Sequence, residues 1–210
     1  MIRSKLVMQS LATLVLASGS IAAVAADSGW YAGVSLGQTN ADVSASGLNS
    51  ALVSVGATGV VISVDNTDTG WKLFGGYQIN KNIGFEAAYV NLGSVTANAT
   101  YATLAGSPLR SKVDVDGFQL SAVGTLPLND TFAVFGKVGA FISKSDGTAT
   151  SSVGSASASA NNTDWTYGLG GNWQFNQNIG LRAEWERFQG LGTSKSGDAD
   201  LYSLGIVYNF

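Results

Sequence analysis

LYSLGIVYNF, residues 201–210, is the stretch whose alternation decides the fold. Tyr202, Leu204, Ile206, Tyr208 and Phe210 are large and apolar, while Ser203, Gly205, Val207 and Asn209 between them are mostly small or polar. A period of two belongs to a β-strand with different chemistry on its two faces. Terminal residues are ordinarily loose and polar. A greasy strand that runs to the last residue makes sense if that strand has to pair with another and has to meet something apolar.

The same alternation recurs seven more times upstream. WYAGVSLG sets Trp30, Val34 and Leu36 against Tyr31, Gly33, Ser35 and Gly37. GWKLFGGYQI sets Trp71, Leu73, Tyr77 and Ile79 against Lys72, Phe74, Gly76 and Gln78. In IGFEAAYV, Phe85 and Tyr89 oppose Glu86 and Ala88, and in GFQLSAVGTL, Phe118, Leu120 and Leu126 oppose Gln119, Ser121 and Thr125. FAVFGKVGAFI places Phe132, Val134, Val138 and Ile142 opposite Phe135, Lys137 and Phe141. WTYGLGGNWQF places Trp165, Tyr167, Leu169, Trp173 and Phe175 opposite Thr166, Asn172 and Gln174. IGLRAEWERF places Ile179, Leu181 and Trp185 opposite Arg182, Glu184 and Glu186.

The links alternate as well. NKN (80–82), PLND (127–130) and NQN (176–178) have the chemistry of tight turns. The links at 39–68, 92–112, 143–164 and 189–198 are long and polar. TATSSVGSASASANN, in the third of them, is close to low-complexity and is expected to be mobile. ALVSV and GVVISV in the first contain β-branched residues that want a pleated neighbour. They predict a ribbon in which the first two strands extend outward and offer an edge for strand addition, so that residues 51–64 matter more for surface binding than 147–162.

Composition narrows the setting. Charged residues are 12% of the chain, about half the usual share, yet no stretch has the ~18 consecutive apolar residues of a spanning helix. Rings gather near strand ends (Trp30, Tyr77, Trp71, Trp165, Phe175, Tyr208), which is the girdle pattern of a membrane barrel rather than of a soluble barrel or sandwich. The sequence therefore predicts an all-β fold, an eight-stranded antiparallel up-and-down transmembrane β-barrel, over 27–210, with four long extracellular loops. Residues 1–26 read as a signal peptide: Arg3 and Lys5, an apolar run from Leu11, then Val24-Ala25-Ala26 as the cleavage site. The mature chain would start at Asp27, or at Ala26. Removing two cations leaves an acidic chain, which argues against a nucleic-acid partner.

GWYAGVSLG, FGGYQINKNIGFEAAYVNLG, GFQLSAVGTLPL, LRAEWERF and SLGIVYNF together resemble the OmpA-type eight-stranded outer-membrane barrels of Gram-negative envelopes. The resemblance covers the mature chain apart from its long links. It implies outer-membrane location, contact with lipid and lipopolysaccharide, and insertion by the barrel-assembly machinery, for which Tyr208 and Phe210 stand where the family carries its terminal signal. The peptidoglycan-binding domain that often follows such barrels is not expected here, so cell-wall anchoring is not implied. It also implies an interior ion-pair network, with Glu86, Lys137, Arg182 and Glu184 at matching positions. Val123 and Asn172 depart from that network, which weakens a family-like gate.

The inward charges on alternation alone are Lys72, Glu86, Lys137, Arg182, Glu184 and Glu186, and opposite charges in a narrow lumen should pair. A structural plug is favoured over a gated conductance. Catalysis is not expected. There is no His to act as base and no Cys, Glu184 and Glu186 share one strand face without a cleft for a sugar, and GLGG at 168–171 lies inside a strand. No cofactor or metal is expected. Asp65, Asp68, Asp114 and Asp116 form at most a rim that bridges to lipopolysaccharide through divalent ions. Strict alternation points Asp114 and Asp116 outward, so either a bulge near Gly117 corrects the phase or these residues stand above the membrane. The function expected is a non-enzymatic structural role in the envelope or a surface-interaction role, including adhesion to a host partner. The alternative is a small porin-like channel.

Overall fold

The computed structural model describes residues 28–42, 45–102, 107–191 and 197–210. The expected signal peptide lies outside the described residues. Nine strands and one helix are present among them: β1 (Gly29–Asp42), α1 (Ala45–Ser54), β2 (Val61–Asp65), β3 (Thr67–Asn80), β4 (Ile83–Thr100), β5 (Leu109–Pro127), β6 (Phe132–Ser151), β7 (Gly154–Gln174), β8 (Ile179–Leu191) and β9 (Gly197–Asn209). All but β2 are staves of one closed antiparallel barrel, β1-β3-β4-β5-β6-β7-β8-β9, closed by β9 on β1. No helix among the described residues is long and apolar enough to cross a membrane. The crossing is made by strands.

Closure accounts for the terminal strand. β9 pairs with β8 from Ile179↔Tyr208 and with β1 from Tyr31↔Asn209, and the Phe210 amide donates to the Trp30 carbonyl (2.9 Å). In hydrocarbon an unpaired backbone group costs several kcal/mol, so the strand is bonded on both sides to its last residue.

The three short turns share one device. The side-chain oxygen of Asn80 accepts from the amides of Asn82 (2.9 Å) and Ile83 (3.0 Å), that of Asn129 from Thr131 (2.9 Å) and Phe132 (2.8 Å), and that of Asn176 from Asn178 (2.9 Å) and Ile179 (2.8 Å). Asn stands there because its amide can turn the chain and satisfy it at once. Short turns mark the periplasmic end.

The outer face is layered. Near the turns, Trp30 meets Tyr77 (ring centroids 4.9 Å), Phe132 stacks on Trp173 (5.7 Å) and Tyr208 meets Phe210 (5.0 Å). A second girdle holds Trp71 with Tyr89 (5.5 Å), Tyr89 with Phe118 (5.2 Å) and Tyr167 with Trp185 (5.9 Å). Between them the exposed residues are aliphatic or small. Beyond the second girdle the outward position on the staves is polar: Gln38, Thr69, Asn91, Asp116, Lys144, Thr163, Arg187 and Asp200. Such a band, apolar between two aromatic rings, is fitted to a bilayer.

Asp114 and Asp116 do point outward, and β5 carries no bulge near Gly117. Its ladder with β6 is unbroken from Leu109↔Ser151 to Pro127↔Ala133. These acids stand above the second girdle, where Asp116 accepts from Tyr89 Oη (2.7 Å) and Asp114 pairs with Lys112 (2.7 Å). The bulge lies instead on β4, between Asn91 and Ser94, where Gly93 has φ +76°. Asp68 latches it, accepting from the Ser94 amide (2.8 Å) and Ser94 Oγ (2.9 Å). Backbone donors from Thr69 and Ser94 hold the Asp68 carboxyl below the usual carboxylate range. Its contribution to stability is therefore present above the ordinary carboxylate pKa and is lost as pH falls below it. A Cβ on Gly93 would sit 2.8 Å from the Asp68 side chain in a left-handed conformation. Gly93→Ala should cost at least about 1–2 kcal/mol, read by urea unfolding of the refolded barrel. The lipid-facing Gly75→Ala, whose nearest neighbour would be 3.7 Å away, should change stability by no more than about 0.5 kcal/mol.

Above the membrane the structure departs from two expectations. The first two staves do not extend as a ribbon: β1 ends at Asp42 and β3 begins at Thr67. ALVSV falls mostly in α1, where Leu48 and Leu52 share a face and pack with Ala57, Ala99, Val60 and Ile62. The helix ends in a reciprocal cap, with the Ala57 amide on the Leu52 carbonyl (3.0 Å), the Gly56 amide on Val53 (3.0 Å) and Gly56 at φ +91°. GVVISV does find a pleated neighbour, as β2, but on β4 (Val61↔Thr100 to Asp65↔Thr96). The Ser/Ala-rich third link is not a loop. β6 and β7 pair without a break from Phe132↔Trp173 to Ser151↔Gly154. Small Ser and Ala side chains have weak strand preference alone, but they continue a ladder that the membrane-spanning part has already set in register.

The lumen as candidate functional site

Inward side chains fill the barrel in layers. Next to the periplasmic turns lies a vestibule of about 630 Å³, lined by polar groups such as Gln78, Thr125, Gln174 and Asn209 and ending on Arg182. Tyr31, Phe74 and Phe135 surround that guanidinium, with ring centroids 5.4, 4.5 and 4.7 Å from its central carbon. The rings fit because a glycine lies across the ladder from each: Phe74 covers Gly33, Tyr31 covers Gly76 and Phe135 covers Gly170, and a Cβ at any of the three would overlap the ring. This is why Gly33, Gly76 and Gly170 carry no side chain.

The structure brings all six inward charges together. Lys72, Glu86, Lys137, Arg182, Glu184 and Glu186 are each no more than 5% exposed. Lys72 binds Glu184 and Glu186, and Arg182 binds Glu86. Lys137 lies 2.6 Å from Glu186, 2.6 Å from Glu184 and 3.3 Å from Glu86. Its contact with Glu184 Oε1 has ion-pair distance without hydrogen-bond alignment. Three cations and three anions leave the set neutral. Neighbours complete it: Tyr31 Oη donates to Glu86 (3.1 Å), Gln119 Nε2 to Glu186 (2.8 Å) and Arg182 Nε to Asn172 Oδ1 (3.0 Å). Sequence reasoning missed Tyr31, Gln119 and Asn172 as members. Their signal was only that each occupies the inward phase of its strand. Asn172, taken as a departure from the charged network, stands directly opposite Arg182 in the β7–β8 ladder. Val123 is inward and buried without a polar role. Arrayed this way, the groups neutralise and hold one another, and they leave no carboxylate pair facing a cleft.

On the extracellular side of these charges Val90, Leu92, Phe141, Phe188 and Leu201 are buried together, with Thr39, Asp164 and Thr166 across the ladder from Leu201, Phe141 and Phe188. Tyr208 and Phe210 lie apart from the lumen, exposed in the periplasmic girdle. Asp65, Asp68, Asp114 and Asp116 do not converge, and no group of three or more such ligands among the described residues could hold a metal ion.

A closed antiparallel barrel with an apolar outer belt, two aromatic girdles and a filled polar interior is an integral outer-membrane barrel. Residues 25–210 match the OmpA-like transmembrane domain, and the chain belongs to that family. Outer membrane protein A of Escherichia fergusonii is 27% identical over 143 residues, covering 65% of this chain and 39% of that protein. That of Klebsiella aerogenes is 26% identical over 192 residues, 88% of this chain and 49% of the relative. The chain thus spans less than half the length of these relatives. Among solved structures, Neisserial surface protein A superposes with a TM-score of 0.54 at 14% identity, covering 86% of this chain and 97% of that one. The attachment invasion locus protein of Yersinia pestis, in complex with the heparin analogue sucrose octasulfate, gives 0.50 at 16% identity, covering 87% and 99%. At these identities the structural matches establish the fold.

Proposed function

We propose that this barrel is a non-enzymatic envelope protein that strengthens the outer membrane and presents a surface for interaction. The observation that carries the reading is the middle of the lumen, where six buried charges satisfy one another. A lumen occupied in that way supports a rigid stave of the membrane better than a conduit. The vestibule is the feature that favours the porin-like alternative, but it ends on Arg182.

Surface interaction is supported by what stands above the outer girdle. The sheet β2-β4-β5-β6-β7 rises there with α1 packed against it. Deleting the outer part of the β6–β7 hairpin, residues 145–160, tests this part. Cells should retain the barrel in the outer membrane but bind a host-cell surface at least several-fold less. Undiminished binding would exclude this hairpin as the contact, loss of α1 and β2 as well without effect would remove the surface role, and unchanged sensitivity to detergent in cells without the protein would remove the structural one.

Export and assembly follow the same reading. Residues 1–26 are proposed to be cleaved, which N-terminal sequencing of the outer-membrane form tests directly. Tyr208 and Phe210 are proposed as the mark read by the assembly machinery. Phe210→Ala should lower the folded, heat-modifiable fraction several-fold in cells while leaving refolding from urea in lipid nearly unchanged. A deficit of equal size in both assays would assign Phe210 to packing instead.

A further inference from the structure

The ionic layer is not the only thing that closes the barrel. Next to it on the extracellular side, Val90 and Leu92 of β4, Phe141 of β6, Phe188 of β8 and Leu201 of β9 fill the cross-section, and none is more than 4% exposed. Phe141 and Phe188 meet edge to face with centroids 4.8 Å apart. The fit is tight on the far side too, since a Cβ on Gly70 would lie 2.6 Å from Thr39 Oγ1 and 2.8 Å from Leu201 Cδ1.

The two layers would resist an ion differently. The ionic layer is made of donors and acceptors that can exchange partners, so a rearranged set of pairs could still solvate a passing ion. The apolar layer offers few such partners: Thr39, Asp164 and Thr166 stand at its margin, across the ladder from Leu201, Phe141 and Phe188, and the rings and aliphatic chains occupy the rest. An ion passing between Phe141, Phe188 and Leu201 would lose most of its hydration with little in exchange, and an apolar constriction also excludes water.

We infer that the barrel is closed twice in series and that the apolar layer around Phe141, Phe188 and Leu201 is an independent barrier on the extracellular side, so that breaking the ion pairs deepens the periplasmic vestibule without opening a path across the membrane. The inference rests on the filled-lumen reading and goes beyond it by placing a second seal and giving the cavity a single open side.

The test uses the full mature chain in planar lipid bilayers. Glu86→Gln with Arg182→Gln removes one ion pair and keeps the layer neutral. Phe141→Ala with Phe188→Ala opens the apolar layer. The first pair should conduct within about twofold of the unmodified protein, and the four changes together should raise conductance at least about tenfold. Conduction by the ion-pair variant alone overturns the inference. So does silence of the fourfold variant if a heat-modifiable gel shift shows it folded. Should the fourfold variant not fold, cysteine accessibility decides. The sequence contains no Cys, and Ala88 faces inward between Glu86 and Val90, buried. In the ion-pair variant carrying Ala88→Cys, a small charged thiol reagent should react from the periplasmic side at least about tenfold faster than from the extracellular side. Equal rates from both sides would mean the apolar layer is no seal. Failure here would leave the envelope and surface roles standing, because those are read in cells by detergent sensitivity and binding.

Discussion

Arg182→Ala should destabilise the barrel by about 3–5 kcal/mol, measured by equilibrium urea unfolding in lipid vesicles, because it strands a buried partner without its counter-charge. Three losses coincide at that position. Glu86 keeps Lys137 at 3.3 Å and the Tyr31 hydroxyl but loses its ion pair with Arg182. Asn172 loses the donor to its side-chain oxygen. The rings of Tyr31, Phe74 and Phe135 lose the cation they enclose. A neutral six-charge set becomes a set with one excess carboxylate, in a layer where no group is more than 5% exposed. Removing Glu86 as well should recover part of the loss, so the double variant Glu86→Gln, Arg182→Ala should be less destabilised than the two single effects combined. A cost below about 1 kcal/mol would mean that water reaches the layer and that the charges are solvated rather than held by one another. Arg182→Lys should fall between, since an ammonium can pair with Glu86 but cannot reproduce the planar contact with the rings or the second bond to Asn172.

How far the sequence foretold these contacts depends on what each feature needed. A two-residue period shows which way a side chain points, so Lys72, Glu86, Lys137, Arg182, Glu184 and Glu186 could be placed inside, and Leu181 outside, before any coordinates. It does not show height within the barrel, which is set by the stagger between strands. That is why Asn172 could not be matched to Arg182, and why the inward Phe141 was not joined to Phe188 from a strand two places away in the barrel. A bulge is visible only as a break in phase. At Asp114 and Asp116 alternation allows either a bulge near Gly117 or a position above the membrane, and the unbroken β5–β6 ladder selects the second. The true bulge, at Gly93, left its trace as a glycine followed by Ser94, a signal too common to act on. Above the membrane, alternation and propensity gave opposing errors. The valines of 51–55 suggested a strand, whereas the spacing of Leu48 and Leu52 and the Gly56 cap made a helix. The Ser/Ala run of 154–160 suggested disorder, whereas neighbouring β6 supplied a template.

Leu169→Arg should cost roughly 2–4 kcal/mol in the same vesicles, the range for a cation placed on the lipid face near the bilayer midplane. Leu169 lies on β7 midway between Trp165 and Trp173, and at 62% exposure it has no protein neighbour to cover it. The two tryptophans are separated by about 27 Å along the strand, or about 20 Å of membrane height at the usual tilt near 40°. A charge at Leu169 therefore sits about 10 Å from either interface, farther than an arginine side chain spans without bending the bilayer. Its neighbours across the ladder are Gly136 and Trp185, neither of which offers an acceptor for the guanidinium on the outer face. The contrast is with Thr163→Arg, one outward position past Trp165 on the same strand and the same face. There the cost should fall to about 0–1 kcal/mol, because the side chain is already at the interface. Depth alone distinguishes the two sites. Equal costs would mean that the aromatic rows do not bound the hydrocarbon, and a harmless Leu169→Arg would mean that this face of β7 does not meet lipid at all.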